Sequence, residues 1–190
     1  MGEKAKGGCH MDNGASSYRR FLAGDESAFE EILETYREGL TFFINRYVCD
    51  EAAAEDIAID VFTYILLHKH RYNFKTSLKT YLYMLGRSRA LDYLRKRTRL
   101  VFSELEKAGA QAPPPEEQIF RGEREKMVRD AVVKLPRDMR EAVELVYFEG
   151  LSYGETAKIM KKTKKQVDNT LYRAKEKLRD IIGKDGELWL

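Results

Sequence analysis

The 190-residue chain is predicted to be all-α, with two small helical domains joined by a flexible linker. Three observations favour this fold class. Apolar residues recur every three or four positions over long stretches, two helix-start signatures follow one another near the carboxyl end, and a proline-bearing segment separates the two regions. No segment alternates apolar and polar residues convincingly, as a half-buried strand would. The pattern is that of packed helices on either side of a connecting segment.

The N-terminal domain is predicted to hold three long helices. The spacing of apolar residues predicts the first over 26–46, with Asp25 as its cap, and the second over 51–69. Ser77 is expected to open the third, which runs to about residue 99. Their apolar faces can share one core, so we expect a helix bundle.

Residues 101–123 are predicted to be the linker. They hold few aliphatic side chains and contain consecutive prolines at 113–115, which cannot continue a helix. The two domains are then expected over 18–100 and 124–184, after a disordered, glycine-rich tail at 1–17. That tail has no apolar core and the chain has no run of about 18 apolar residues, so we expect no secretory signal, no membrane insertion and a cytoplasmic location.

The composition points away from metal sites and from enzymes. Cys9 and Cys49 are the only cysteines, which indicates two reduced thiols rather than a disulfide framework. His68 and His70 lie at a spacing that does not converge on one helical face. No nucleophile–base pair, metal-ligand spacing or glycine-rich phosphate loop is present, so we expect no metal, no cofactor and no enzymatic activity.

Two capping boxes lie close together near the carboxyl end. Ser152 is followed three residues later by Glu155, and Thr163 three residues later by Gln166. The helix between them, predicted over 153–160, is only two turns long and is followed by a very short connection. Two helices joined in this way must cross steeply, which is the geometry of a helix-turn-helix.

The second helix of this pair is strongly basic. Residues 161–179 carry eight lysines and arginines against two acidic residues, although the whole chain has a net charge of only +3. Its apolar residues form one stripe, made of Val167, Leu171, Ala174 and Leu178. The residue types that read base edges in the major groove lie elsewhere on the helix, at Lys165, Gln166, Asn169 and Arg173. The helix is expected to bind DNA, with a solvated lysine-rich face as the alternative.

Two further surfaces stand out in the N-terminal domain. The loop at 68–75 interleaves Tyr72 and Phe74 with basic residues, as expected where unstacked bases rest on aromatic rings beside phosphates. The alternative is that both rings close the end of the bundle. The second helix presents acidic residues around an apolar ridge that ends in Phe62, which indicates a protein partner rather than DNA, or else a generic solvated face.

Taken together, these features resemble the sigma factors of bacterial RNA polymerase, which form the sigma-70 family, and in particular the small two-domain extracytoplasmic-function (ECF) group. The resemblance covers roughly residues 24–179. Four segments carry it in order: GDESAFEE at 24–31, AEDIAIDVF at 54–62, YLYMLGRSRALDYLR at 81–95, and the helix-turn-helix with LSYGE at 151–155. It implies a factor that directs polymerase core to specific promoters and aids DNA melting. The alternative is a helix-turn-helix regulator with an N-terminal dimerisation or sensor bundle.

The resemblance also implies roles for individual residues. The domain at 18–100 would be region 2, and the domain at 124–184 would be region 4. Docking on the clamp of the largest polymerase subunit is implied for Asp56, Asp60, Val61 and Phe62. Contacts to the minus-ten element, including capture of a flipped base, are implied for Arg71, Tyr72, Asn73, Phe74, Lys75, Thr76, Ser77, Arg87, Arg89, Arg95 and Arg97. Contacts to the minus-thirty-five element are implied for Lys164, Lys165, Gln166, Asn169 and Arg173.

The implied partners are RNA polymerase core, through its clamp and flap, promoter DNA and an anti-sigma factor. Several positions depart from the family pattern. Tyr81 stands where the family usually has Trp, and Ser88 where it usually has Asn. Lys161 and Lys162 stand in the turn of the helix-turn-helix, where the family usually has glycine and an aliphatic residue. Either the turn avoids a left-handed residue, or Lys161 adopts that conformation with modest strain.

Overall fold

A computed structural model describes residues 14–108, 128 and 130–182. Over these residues the regular structure is helical and contains no strand, which confirms the predicted fold class. The helices are α1 (Ala15–Leu22), α2 (Ser27–Val48), α3 (Glu51–Leu67), α4 (Leu78–Ala108), α5 (Arg137–Val143), α6 (Tyr153–Met160) and α7 (Lys164–Ile182). A 3₁₀ turn at Lys69–Arg71 follows α3, and a π-helical turn at Glu144–Phe148 extends α5.

Two predicted boundaries are wrong. Helix α1 begins at Ala15, inside the predicted tail, because Tyr18 and Phe21 bury their rings in the bundle and hold the segment there. Helix α4 continues to Ala108 and so takes in the first part of the predicted linker. Residues 101–108 contain good helix formers, and the prolines that would end a helix come only at 113–115. The remainder of the predicted linker, 109–123, lies outside the described residues.

The N-terminal unit is a bundle of α1 to α4 in which α2 contacts the three other helices. Leu40, Phe43 and Ile44 of α2 are at most 1% exposed. Gly86 allows α4 to lie close to α2, since a Cβ atom at this position would come within 2.9 Å of Leu40 Cδ1. The close approach fixes α4, with its arginines, against the centre of the bundle.

The ends of these helices follow local side-chain chemistry. Asp50 caps α3 by accepting a hydrogen bond from the Ala53 N–H at 3.1 Å, and Ser77 opens α4 as predicted by accepting one from the Thr80 N–H at 3.2 Å. Asp25 does not cap α2. Its carboxylate instead accepts hydrogen bonds from the Ser27 hydroxyl and the Arg20 guanidinium.

The C-terminal unit packs α5, α6 and α7 against one another. The predicted apolar stripe of α7 is confirmed, since Val167, Leu171, Ala174 and Leu178 are all buried. They meet Leu145 and Ile159, which are also buried. This unit lies against the N-terminal bundle chiefly through α6 and α4.

Candidate nucleic-acid interface

The predicted helix-turn-helix is present in α6 and α7, with both capping boxes formed. The Ser152 hydroxyl accepts from the Glu155 N–H at 3.3 Å, and the Glu155 carboxylate accepts from the Ser152 N–H at 3.0 Å. Before α7, the Thr163 N–H donates to Gln166 Oε1 at 2.8 Å and the Gln166 N–H donates to Thr163 Oγ1 at 3.2 Å. These reciprocal bonds fix where each helix begins.

The backbone conformation of Lys161 decides between the two alternatives for the turn of the helix-turn-helix. This residue has φ 55° and ψ 43°, so it adopts the left-handed conformation without being glycine. The Lys162 N–H donates to the Ala157 carbonyl at 2.9 Å, which closes the end of α6 as in a Schellman motif. The Lys162 ammonium then reaches Asp138 of α5 at 3.2 Å. Lys161 and Lys162 therefore stabilise the conformation of the turn and connect it to α5.

Helix α7 presents its polar residues to solvent. All five residues predicted to contact DNA here, Lys164, Lys165, Gln166, Asn169 and Arg173, are exposed. Lys165, Asn169 and Arg173 follow at four-residue intervals, so they share one face that extends about 12 Å along the helix. Gln166 differs, because its amide oxygen is held by the cap and leaves the NH₂ group to make outward contacts.

The aromatic-basic loop before α4 is only partly available to a ligand. Tyr72 is 3% exposed, its hydroxyl donates to the Thr76 carbonyl at 2.6 Å, and its ring packs edge-on against Tyr18. Burial raises the pKa of Tyr72 to about 12. The structure therefore favours the alternative for this ring, which closes the end of the bundle rather than stacking on a base.

Phe74 occupies an unusual position beside Tyr72. It is partly buried, has φ 59°, and carries the Arg19 guanidinium 5.0 Å from its ring centre. A bulky residue in this conformation is uncommon. Around it, Arg71, Asn73 and Lys75 are exposed, so the polar side chains of the loop form its accessible surface.

The predicted phosphate-binding arginines of α4 fall into different environments. Arg97 is exposed, and Arg95 is exposed beside Asp92 at 2.9 Å. Arg89 lies over the Tyr64 ring at 4.9 Å. Arg87 is directed at the C-terminal unit, where its Nε donates to Glu141 at 2.6 Å. The arginines therefore do not form one uninterrupted track in this conformation.

The predicted docking surface on α3 needs correction. Asp56 and Asp60 are exposed, but Val61 and Phe62 are 0% and 4% exposed and belong to the core. A surface residue of a helix and its buried neighbour are adjacent in sequence, so a short sequence motif does not separate them. The apolar residue that does lie between the two aspartates on the surface is Ile59, which is 53% exposed. Ile59 lies three residues after Asp56, and residues at this spacing share one face of a helix.

Two negative findings apply to the residues described in the structure. Over 14–108, 128 and 130–182, histidine, cysteine, aspartate and glutamate form no group of three that could hold a metal ion. None of the helices in the described part of the chain is both long and apolar enough to cross a membrane.

Comparisons with known proteins agree with this arrangement. Residues 32–100 match the family described as sigma-70 region 2, and residues 125–178 match sigma-70, region 4. The chain is 30% identical over 170 residues to the RNA polymerase sigma-H factor of Pseudomonas aeruginosa, which covers 83% of this chain and 87% of that protein. It is 25% identical over 161 residues to the ECF RNA polymerase sigma factor SigM of Bacillus subtilis, covering 82% and 95%.

Solved structures share the fold. The sigma factor RpoE of Bartonella quintana, determined in complex with the anti-sigma factor NepR, superposes with a TM-score of 0.67 at 21% identity and covers 83% of this chain and 98% of that one. CnrH, in complex with the cytosolic domain of CnrY, gives 0.64 at 17% identity, covering 93% and 99%. With two sigma-70 regions in the expected order, the chain belongs to the sigma-70 family as a sigma factor of the ECF group, which directs RNA polymerase to promoters.

Proposed function

We propose that the chain holds a promoter at two elements while α3 docks on RNA polymerase. The observation that carries this proposal is the exposed face of α7 at Lys165, Asn169 and Arg173, which follows a fully capped turn. The same chain carries a second, differently charged surface on α3. This pairing supports a sigma factor with division of labour over a helix-turn-helix regulator with a sensor bundle.

At the minus-thirty-five element, α7 would lie in the major groove. The positive end of the helix dipole and the lysines at its start suit backbone phosphates. Asn169 and Arg173 have the donors and acceptors that distinguish base edges. Gln166 would contribute chiefly as a donor, because its oxygen already accepts from the Thr163 N–H.

At the minus-ten element, the exposed polar residues of the loop and the exposed arginines of α4 would contact the opened strand. The candidates that the burial pattern supports are Arg71, Asn73, Lys75, Arg95 and Arg97. Tyr72 would act as a support that positions this loop, while Phe74 lies at its partly buried edge. Flipping and unstacking a base cost a few kcal/mol, so the isolated chain is expected to bind promoter DNA weakly.

Polymerase docking is assigned to the face of α3 around Ile59, flanked by Asp56 and Asp60. An exposed aliphatic side chain ringed by carboxylates suits a basic partner surface with a shallow apolar pocket. We assign this face to the clamp of the largest subunit, and the C-terminal unit to the flap. An anti-sigma factor is a further proposed partner, since the sigma factor RpoE of Bartonella quintana, which shares this fold, was solved in complex with the anti-sigma factor NepR.

The proposed role is non-enzymatic and cytoplasmic. Base pairs would be separated by the binding free energy of this chain and polymerase together. No residue of this chain would make or break a covalent bond. Polymerase and chromosome are in the cytoplasm, so the protein would act there.

Run-off transcription with reconstituted core polymerase on a genomic DNA library tests the function and reports the promoter. We expect discrete transcripts that depend on the added chain. The polymerase must be active with its own housekeeping factor. The absence of chain-dependent transcripts from that polymerase would contradict the proposal.

The docking surface can be tested by charge reversal. Asp56→Lys with Asp60→Lys should abolish co-purification with core polymerase, because like charges would then face the partner. Both residues are exposed, so circular dichroism should report unchanged helix content. Glu30→Lys with Glu34→Lys, at exposed positions of α2, is the matched control and should still co-purify. Retained binding by the α3 variant would show that the assigned face is wrong.

A further inference from the structure

Helix α1 brings a basic side chain to the loop that precedes α4. Tyr18 of this helix is fully buried, and its hydroxyl donates to the Lys69 carbonyl at 2.9 Å. Its ring also packs edge-on against Tyr72, with the ring centres 4.9 Å apart. These contacts hold α1 against the turn that leads into the loop, so the residue after Tyr18 has a defined place beside that loop.

That residue, Arg19, is exposed and lies over Phe74. Its guanidinium carbon is 5.0 Å from the centre of the Phe74 ring. The Phe74 ring in turn contacts Tyr72 and Tyr18, with ring centres 4.6 Å and 6.0 Å apart. The guanidinium is therefore the outermost layer of an aromatic cluster that begins in the core of the bundle.

Arg19 differs from its neighbour Arg20 in its partners. The Arg20 guanidinium pairs with Asp25 and with Glu31, each at 2.9 Å. Among the residues that the structure describes, no carboxylate forms an ion pair with Arg19. The outer face and the N–H groups of the Arg19 guanidinium are therefore available to a ligand, whereas those of Arg20 are already used.

The surroundings of Arg19 favour an anionic ligand with flat rings. Residues 68–77 contain no aspartate or glutamate, and the loop adds the exposed side chains of Arg71, Asn73 and Lys75. A guanidinium that lies on an aromatic ring can receive an unstacked base on its other face. Its N–H groups can at the same time donate to a phosphate. Single-stranded nucleic acid offers both groups.

We propose that Arg19 is a DNA-binding residue, whose guanidinium receives an unpaired base of the opened promoter strand on its outer face with the Phe74 ring beneath it. This inference rests on the proposed function, because it takes the loop as part of the minus-ten contact. It deepens that function by adding a contact from α1, which precedes the segment at 32–100 that matches sigma-70 region 2. Phe74 then supports the stacking cation and does not itself touch the base.

The test compares three variants of the full chain. Arg19→Ala removes both the charge and the plane, and Arg19→Lys keeps the charge but loses the plane. The matched control is Arg20→Ala, which removes the same charge one residue further along α1. Both positions are exposed, so circular dichroism should report unchanged helix content in all three variants.

The probes are two labelled single-stranded oligonucleotides of equal length, one of thymidine and one abasic, and fluorescence anisotropy at fixed salt measures their affinities. A single strand needs no melting, so the chain can be measured without polymerase. Arg19→Ala should weaken binding of the thymidine strand at least about fivefold, as expected for the loss of one stacked base. Arg20→Ala should stay within about twofold of wild type.

Arg19→Lys separates stacking from charge. It should weaken binding of the thymidine strand as Arg19→Ala does, yet bind the abasic strand within about twofold of wild type, because lysine still meets a phosphate as a point charge.

Three results would overturn the inference. Equal losses in Arg19→Ala and Arg20→Ala would mean that only net charge matters. Wild-type affinity of Arg19→Lys for the thymidine strand would mean that the guanidinium plane is not needed, and equal losses of this variant on both strands would mean that the base contributes nothing. Neither probe involves polymerase, so failure here is distinguishable from failure of the run-off experiment.

Discussion

Helices α4 and α7 are both basic, yet their cations have different surroundings. On α7, Lys165 and Arg173 point into solvent from a helix whose start is fixed by a capping box. On α4, Arg87 is held by Glu141, and Lys79 by Glu149. A donor that is already paired within the chain is less available to DNA than one in solvent. The donors of α7 are open to solvent, whereas Arg87 and Lys79 of α4 are paired.

Removing the cations of α7 is expected to have the largest effect. Lys165→Ala with Arg173→Ala should reduce promoter-directed initiation by tenfold or more, since each good base or phosphate contact contributes about 1–3 kcal/mol. Run-off transcription measures the loss, and co-purification with polymerase should be unchanged. Lys134→Ala with Arg179→Ala removes the same charge at other exposed positions of the C-terminal unit. Equal losses in both variants would mean that only total charge matters.

The contact between the two units is expected to depend on pH through Glu144, which lies 3.4 Å from Arg46 of α2. Burial raises the pKa of Glu144 from 4.5 to about 7, against the opposing effect of Arg46 and Arg140 and with the nearby Glu141 and Glu149 adding to it. The folded state therefore binds a proton between these values that the unfolded chain releases. Stability from this group is full below about pH 4.5 and is lost as the pH rises through about 7. The loss is at most about 3 kcal/mol.

Thermal unfolding at several pH values checks this expectation. The wild-type midpoint should fall from pH 5.5 to 7.5 more steeply than that of Glu144→Gln, which cannot titrate. Comparing the two proteins removes the contribution of the other carboxylates. Parallel slopes would contradict the assignment of a proton to Glu144 in the folded state.

A smaller effect is expected at the turn that orients α7. Lys161→Gly should stabilise the C-terminal unit by up to about 1 kcal/mol, because glycine adopts the left-handed conformation without a clash at Cβ. A shift in the denaturation midpoint measures it. Lys158→Gly, in the interior of α6, should instead destabilise. Destabilisation by Lys161→Gly would indicate that the lysine side chain, rather than the backbone, holds the turn.

The parts of the fold that depend on neighbouring residues were predictable from the sequence. Ser152 with Glu155 and Thr163 with Gln166 form the expected caps, since a capping box needs only residues three apart. The apolar stripe of α7 was predictable for the same reason. The length of α4 was not predictable, because residues with weak helix-forming signals continue past its expected end.

The parts of the site that depend on distant residues were not predictable. Phe62 and Tyr72 have the chemistry of contact residues, but both are buried, and the Tyr72 ring packs against Tyr18 of α1. Their exposure depends on which face of the helix packs against the bundle. That packing depends on residues distant in sequence. The contacts of Glu141 and Glu149 with α4 join residues more than fifty positions apart, and no local pattern signals them.

The proposed function assigns promoter contact to α7 and polymerase docking to α3. Run-off transcription with reconstituted core polymerase compares the wild-type chain with Lys165→Ala/Arg173→Ala on α7 and with Asp56→Lys/Asp60→Lys on α3. We expect chain-dependent transcripts from the wild type and a loss of tenfold or more in both variants, with polymerase co-purification lost only in the α3 variant. Wild-type levels of transcript from either variant would contradict the assignment of that helix.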